Sequence, residues 1–280
     1  MRMSPNARMN RLFTNGRCLD VAIDHGVCNE PSFMAGLEDI GGVVDQLIAA
    51  RPDAIQMNYG QADLLQSRPA KDKPALVMRI DIGNPYNDSR HRVMWAELQN
   101  REDPIIGALE MDAASVVVNL FMLPHEPDLF RQCVANIAAT RAACARYGMP
   151  LMIEPLVMLP NAVRGGYQVD GDADRIVALV RLAAEMGADI IKADPTTNAE
   201  DFHRVIEAAR VPVLVRGGGK EDLRSVLSKS AALLAQGAWG LVYGRNIYQH
   251  ENPKRVVQAL MAMIHRGVSG DEAWEVYRHG

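Results

Sequence analysis

The chain has 280 residues, of which 48% are hydrophobic and 23% charged, and its formal net charge is −4. This composition suits one large α/β domain or two small ones, and the lack of a basic block argues against nucleic acid as a partner. No apolar run reaches the roughly 18 residues of a membrane span, and residues 1–12 lack the apolar core of a signal peptide.

The cysteines favour a reducing compartment. Their spacing forms neither a CxxC pair nor a zinc ribbon, and a chain of this size does not need disulfides. We therefore expect free thiols and a cytoplasmic location. Cys28, close to Asp24 and His25, could line a site, although a small space-filling residue is the simpler interpretation. The four cysteines are Cys18, Cys28, Cys133 and Cys144.

Short apolar runs of strand length alternate with segments of helical spacing along the chain. The predicted strands cover residues 19–23, 54–57, 75–80, 115–118, 149–153, 188–192, 211–215 and 239–243. The predicted helices cover residues 37–50, 62–65, 104–111, 127–147, 173–186, 198–209, 221–235 and 253–265. Polar tails are expected at about 1–17 and 266–280, the second with a short helical piece at 272–277.

Two connections are long for this pattern. Residues 83–101 begin with Asn84-Pro85-Tyr86-Asn87, and residues 156–172 contain Arg164-Gly165-Gly166. Long loops in compact domains often carry function, so we predict that both segments are lids.

Eight strands that alternate with helices predict one (β/α)8 barrel over residues 1–280, tails included. The rival fold is a doubly wound sheet, which usually carries a GxGxxG turn after its first strand. Asp24-His25-Gly26 stands in that place, so the sequence favours the barrel.

Nearly every predicted strand stays apolar until its end and then turns polar. In a barrel these ends meet at one mouth, where active sites lie. We therefore predict an active site there. Its members are Asp24, His25, Asn58, Asp81, Asn119, Glu154, Lys192, Arg216 and Arg245.

Lys192 is the residue that gives this mouth its predicted chemistry. Burial and the positive charge of Arg216 both disfavour the ammonium form, which leaves a neutral amine as nucleophile. An amine that attacks a carbonyl forms a Schiff base, and a Schiff base withdraws electrons during carbon–carbon cleavage. The candidate proton carriers are Asp24, His25 and Glu154, although Asp24 could instead be a structural carboxylate that orients the lysine by an ion pair.

The glycine-rich turns after the last two strands predict a phosphate site. Barrels often bind phosphate with these loops and a short extra helix, here expected at 246–250. The predicted phosphate ligands are Arg216, Gly217, Gly218, Gly219, Gly244 and Arg245. The run is not a P-loop, because GxxxxGK[ST] is absent.

A metal mechanism is less attractive. The histidines are scattered, and no HxH or HxxxH pair lies at a strand end. We therefore expect no metal and no cofactor other than the covalent Schiff base.

Four motifs resemble the DeoC/FbaB group of class I aldolases, which includes archaeal-type fructose-bisphosphate aldolase and the bacterial autoinducer-2 thiolase. They are Asp24-His25-Gly26, Ile191-Lys192, Gly217-Gly218-Gly219-Lys220 and Gly244-Arg245-Asn246-Ile247. The resemblance runs from about residue 18 to 277, and residues 271–277 also look like the thiolase tail. It implies that Lys192 is the Schiff-base lysine, that Asp24 is its acid/base neighbour, and that the glycine turns with Arg245 hold phosphate.

One position departs from the archaeal-type pattern. Glu154 stands where those aldolases carry a tyrosine as proton carrier, and a glutamate there resembles tagatose-bisphosphate and sulfofructose-phosphate aldolases. The resemblance thus implies a lysine-dependent aldolase of carbohydrate metabolism acting on a phosphorylated ketose or keto-sugar acid. Arg216 beside the phosphate turn suggests a more anionic substrate. The alternatives are a thiolase that transfers an acyl group to coenzyme A and a non-catalytic phosphosugar-binding barrel. The family habit also implies a homo-oligomer.

Overall fold

A computed structural model describes residues 6–28, 30–85, 94–161 and 167–280. Eight parallel strands follow one another around a closed barrel, and the first pairs with the last. This confirms the predicted (β/α)8 barrel. The strands are β1 Cys18–Ala22, β2 Ala54–Asn58, β3 Ala75–Arg79, β4 Ser115–Met122, β5 Leu151–Pro160, β6 Ile190–Ala193, β7 Val213–Arg216 and β8 Gly240–Tyr243.

One helix of the outer layer follows each strand and another helix ends the chain, and two four-residue helices, Asn6–Met9 and Arg245–Tyr248, stand outside this series. The helices of the series are α1 Ile40–Ala50, α2 Asp63–Gln66, α3 Ile106–Glu110, α4 Pro127–Tyr147, α5 Ala173–Glu185, α6 Phe202–Ala209, α7 Leu223–Ala235, α8 Pro253–Arg266 and α9 Gly270–His279. Short polar side chains accept hydrogen bonds from the first-turn backbone of several of these helices; the caps are Asp39, Asp172, Asp222, Asn252 and Ser269. Over the ranges described, no helix is long and apolar enough to cross a membrane.

Alternation along the strands sorts the core into two layers. In β1, Leu19 and Val21 face the helices, whereas Cys18 and Ala22 join an inner cluster that fills the lower barrel. The inner cluster is Leu12, Cys18, Ala22, Ala54, Val77, Ala114, Val117, Met152, Ile190, Leu214 and Val242. Polar side chains inside the barrel therefore lie between these apolar residues or closer to the carboxyl ends of the strands.

Both predicted tails contribute to the fold. In the described part of the first, Leu12 is 2% exposed and packs under the barrel, and the ring of Phe13 meets that of Trp239 edge-on at 5.8 Å. At the other end, α9 is longer than the predicted helical piece, and its Ala273 is fully buried. Leu12 in the described part of the first segment and Ala273 in the second therefore pack against the barrel and its helices.

Two strands run past their predicted ends. Asn119 pairs with Glu154 in register, and the ladder between β4 and β5 continues to Met122 and Val157. Asn119 and Glu154 thus lie within strands rather than at strand ends. The sequence prediction failed here because both strands stay apolar after the polar residue.

Each of the two predicted lids contains a short antiparallel pairing. Asp81–Gly83 pairs with Ala96–Leu98, and the end of β5 pairs with Tyr167–Val169. Residues 86–93, including Tyr86 and Asn87, lie outside the described residues, as does Arg164-Gly165-Gly166.

Candidate active site

Lys192 lies inside the barrel and is 4% exposed. Its Nζ is 3.0 Å from Oε1 of Glu154 and donates a hydrogen bond to Oε1 of Gln56 at 3.3 Å. The alternation of β6 places the lysine inside, and register brings β5 beside β6. The ion pair of Lys192 is therefore made by Glu154.

Asp24 reaches the lysine indirectly. Its Oδ2 accepts a hydrogen bond from Gln56 Nε2 at 2.6 Å and another from Arg79 Nε at 2.8 Å. Gln56 thus bridges Asp24 and Lys192, and the ion pair that we considered for Asp24 and Lys192 is replaced by this bridge. Burial alone raises the pKa of Asp24, but the charges of Arg79, Lys192 and His25 outweigh it and hold the pKa below its usual range.

Arg79 joins three carboxylates at the mouth. Its guanidinium bonds Asp24, Asp81 at 3.2 Å, and Glu154 through Nη2. Arg79 is 4% exposed, and such a charge is stable in the interior only when its donors are paired. Arg79 was not among the predicted site residues because it precedes the predicted strand end. An arginine inside the apolar run Ala75–Ile80 was the available signal.

Glu154 is ionised at neutral pH although it is buried. Burial raises its pKa, but Lys192, Arg79 and Arg216 lower it more, to about 2. A carboxylate 3.0 Å from the lysine Nζ can accept a proton from that nitrogen. The geometry thus pairs a nucleophile with a base.

His25 has a different environment from the one expected of a proton carrier. Its ring packs edge-on against Phe33 and Tyr248 at 5.6 and 5.4 Å, and Nδ1 is 3.9 Å from Oδ1 of Asp24. Burial lowers its pKa, Asp24 opposes the change, and Lys192 and Arg245 add to it, so the pKa is about 4. The imidazole is therefore neutral at pH 7.

Asp81 and Asn119, two further predicted mouth residues, contact each other. Asp81 accepts hydrogen bonds from the backbone N–H of Asn119 at 2.8 Å and from its side chain. Burial raises the pKa of Asp81, and the Arg79 charge opposes that shift. Asn58 is half-buried at the end of β2.

Arg216 lies near the carboxylate that pairs with Lys192. Its Nε donates to Asp194 at 2.6 Å and is 3.9 Å from Oε1 of Glu154. Asp194 is fully buried and also accepts from the backbone N–H of Val157 at 3.3 Å. Sequence analysis treated Asp194 only as part of a loop signal, so it missed this partner.

The glycine turns are tied together by Arg245 and Asn246. Arg245 donates to the carbonyl of Gly218 at 3.0 Å, and Asn246 donates to that of Gly219 at 3.2 Å. The short extra helix is Arg245–Tyr248, one residue earlier than its predicted start. The Arg245 guanidinium lies 4.3 Å from the centroid of the Phe33 ring, a cation–π contact that orients it.

These turns open onto a cleft of about 970 Å³. A Cβ added at Gly218 or Gly219 would meet no atom within 4 Å, so a ligand can approach both backbones closely. Arg216 and Arg245 line the same cleft. The part of the chain described holds no cluster of three or more His, Cys, Asp or Glu side chains that could bind a metal ion.

Comparison with known proteins agrees with the fold and the motifs. The sequence profile of the DeoC/LacD family aldolases matches residues 18–250. The chain is 30% identical to an uncharacterized aldolase of Saccharolobus solfataricus, over 97% of this chain and 98% of that one. It is 29% identical to 3-hydroxy-5-phosphonooxypentane-2,4-dione thiolase of Escherichia coli, over 97% of this chain and 86% of that one.

A solved structure of a Schiff-base-forming fructose-1,6-bisphosphate aldolase has the same fold. The two structures superpose with a TM-score of 0.77 at 20% sequence identity, and the aligned region covers 94% of this chain and 100% of the aldolase chain.

Proposed function

Because the chain belongs to the DeoC/LacD family of aldolases, we propose that it is a class I, lysine-dependent aldolase. It forms or cleaves a carbon–carbon bond in a phosphorylated ketose or keto-sugar acid. The observation that carries the proposal is the buried Lys192, whose Nζ is 3.0 Å from the ionised carboxylate of Glu154. A nucleophilic amine and its base are thereby preassembled inside a barrel mouth.

Glu154 takes a proton from the Lys192 ammonium, and the free amine attacks the substrate ketone. The carbinolamine loses water to give an iminium. In the cleavage direction the hydroxyl beside the scissile bond loses its proton, the bond breaks, and its electron pair moves into the iminium to form an enamine. An aldehyde leaves, and protonation and hydrolysis of the enamine release the second product and restore the lysine.

Glu154 is the proton carrier in this scheme. It touches Lys192 directly, whereas Asp24 is held by Gln56 and Arg79. Asp24 fixes the Gln56 amide, and the amide oxygen in turn orients the lysine. His25, a neutral imidazole packed on aromatic rings, forms part of the wall.

The phosphate group binds at the glycine turns. The open backbones of Gly218 and Gly219 and the Arg245 guanidinium face the cleft, and Gly244 keeps the second turn tight. Arg216 also lines the cleft and adds a second positive charge beside that of Arg245. Two positive charges favour a substrate that carries a further negative group.

A thiolase is the second candidate, because of the similarity over nearly the whole chain to the Escherichia coli enzyme. In that reaction Lys192 attacks a diketone and the acyl group passes to coenzyme A. The two candidates differ in whether coenzyme A is consumed.

The test is turnover of a panel of phosphorylated ketoses and keto-sugar acids with and without coenzyme A. We expect the wild-type protein to cleave a substrate without coenzyme A, and we expect Lys192→Met to have no cleavage activity. The matched control is Lys254→Met, which removes an exposed lysine of α8. Strict dependence on coenzyme A assigns the thiolase reaction, and full activity of a folded Lys192→Met variant rejects the lysine mechanism.

A further inference from the structure

Asp20 is a buried acid that the mechanism above does not use. It is 0% exposed, and neither carboxyl oxygen has a hydrogen-bond partner among the residues described. Alternation along β1 turns its side chain into the barrel, as it does for Cys18 and Ala22. Its register neighbours are Ala54 and Val242, which offer no donor.

An unpartnered carboxyl in this position is unfavourable for the fold. A buried acid without a partner resists ionisation, and the residues around it on β1, β2 and β8 belong to an apolar cluster. The other acids inside the mouth, such as Asp24 and Asp81, are paired with Arg79. An apolar residue would fill the Asp20 position without this penalty, which points to a role for the acid itself.

The charged groups that act on Asp20 belong to the active site. Burial raises its pKa to about 7; Lys192 is the foremost charge opposing that rise, Asp24 and Glu154 add to it, and Arg79 opposes it. Burial raises the pKa of the Cys18 thiol on the same strand, and the charge of Asp20 adds to that rise. The charge of Lys192 and the ionisation of Asp20 are therefore coupled through the barrel interior.

We propose that Asp20 is a positioning residue that, near neutral pH, carries a proton while Lys192 is a neutral amine and is ionised while the lysine nitrogen is positive. This deepens the proposed function and rests on it. The proton that Glu154 takes from the ammonium passes on to Asp20, so Glu154 is ionised again and the net charge of the barrel interior is unchanged. When the carbinolamine expels hydroxide, the proton returns through Glu154, which contacts the lysine nitrogen, and completes the water molecule, and the ionised Asp20 offsets the positive charge of the new iminium.

Glu154 cannot replace Asp20 in this role. Its pKa of about 2 keeps it ionised throughout the neutral range, so any proton it accepts must move on. Asp20, with fewer stabilising partners, can hold the proton between steps.

The test is the pH dependence of imine formation between Lys192 and pyridoxal 5′-phosphate, trapped with borohydride and mapped by mass spectrometry. This probe needs no knowledge of the true substrate. Asp20→Asn removes the negative charge while the side chain keeps its shape. Because no anion then stabilises the Lys192 ammonium, the rate of imine trapping should begin to rise at a lower pH. We expect a shift of about one pH unit, the size typical of a nearby charge, and the same direction in Asp20→Ala.

Asp128→Asn, in an exposed first turn of α4, is the matched control and leaves the profile unchanged. A folded Asp20→Asn protein whose profile superimposes on wild type overturns the inference. If Asp20→Asn shifts the profile but no ketose phosphate is ever cleaved, the aldolase proposal fails and the coupling stands.

A second measurement is independent of the chemistry. A carboxyl whose pKa is raised on folding reduces stability as pH rises through the interval between its unfolded and folded values. The melting temperature of Asp20→Asn should therefore rise relative to that of wild type as the pH is raised from 4 to 7. A pH-independent difference between the two proteins would contradict a buried, titrating Asp20.

Discussion

Arg79 sets the charge balance of the mouth. Its guanidinium satisfies Asp24, Asp81 and Glu154 together, so three buried acids share one cation. Removing that cation leaves carboxylates that repel one another in a low-dielectric interior. The arrangement makes Arg79 a structural prerequisite of the site.

We predict that Arg79→Met lowers the free energy of unfolding at pH 7 by about 3–5 kcal/mol, the range for breaking a buried ion pair. The loss should be smaller at pH 5, where the unpaired acids can protonate. Urea unfolding at both pH values measures this. Arg101→Met is the control, since its surface pair with Glu97 is worth about 1 kcal/mol or less; equal losses for the two variants would refute the account.

We predict that Glu154→Gln lowers kcat by about 100- to 10,000-fold, the usual contribution of general acid–base catalysis. The amide keeps the shape of the side chain and still accepts from Lys192, but it cannot take its proton. Steady-state kinetics with the best phosphorylated substrate give the value. Unchanged kcat would move the proton transfer to another residue.

Lys192, Glu154 and Asp24 were predictable because each is a polar residue that interrupts or closes an apolar run. Gln56, Arg79 and Asp194 were missed, although each lies two positions away from a predicted site residue. Their importance comes from contacts between different strands, such as Gln56 with Lys192 at 3.3 Å. Such contacts depend on barrel closure and register, which a single sequence does not reveal.

At the scale of elements, the turn after β8 shows why a glycine is needed. A Cβ at Gly244 would lie 2.5 Å from Cε1 of His25 and 2.6 Å from the carbonyl oxygen of Ala22. The turn therefore packs directly on the end of β1. This close approach brings the Arg245–Tyr248 helix against the mouth.

We predict that Gly244→Ala destabilises the protein by about 1–3 kcal/mol through overpacking. Gly219→Ala, with open space around it, should change stability by no more than about 0.5 kcal/mol. Guanidinium chloride unfolding of both variants gives the comparison. A Gly244→Ala protein as stable as wild type would contradict this close approach, because both the His25 ring and the backbone carbonyl of Ala22 would have to move aside at no cost.

The elements themselves were largely predictable, because a period of two or of 3.6 residues marks each strand or helix. The ends of β4 and β5 were not, because Leu120 and Leu156 continue the apolar pattern beyond Asn119 and Glu154. The hairpin of Asp81–Gly83 with Ala96–Leu98 was also missed. A three-residue strand has too little periodicity to be recognised before its partner is known.

At the scale of the whole molecule, the ion pairs of the mouth link stability to pH. The pKa of Glu154 falls from 4.5 to about 2 on folding, so its contribution is fully present above pH 4.5 and is lost as pH falls towards 2. Asp24, whose pKa is also lowered, adds a loss of the same sign.

We predict that wild type loses about 3 kcal/mol of unfolding free energy through Glu154 alone between pH 5 and pH 2. Glu154→Gln lacks this titration, so its stability should fall less steeply over the same interval. Chemical denaturation of both proteins at pH 5, 4 and 3 measures the difference in their unfolding free energies. Parallel curves for the two proteins would show that the carboxylate is not held by its cations.

The most direct test of the central claim is borohydride reduction in the presence of dihydroxyacetone phosphate and related ketose phosphates, followed by peptide mass mapping. The proposed mechanism predicts a stable adduct on Lys192 that needs both the ligand and the reductant and is absent from Lys192→Met. An adduct on another residue, or no adduct with any of these ligands on the folded protein, would contradict it.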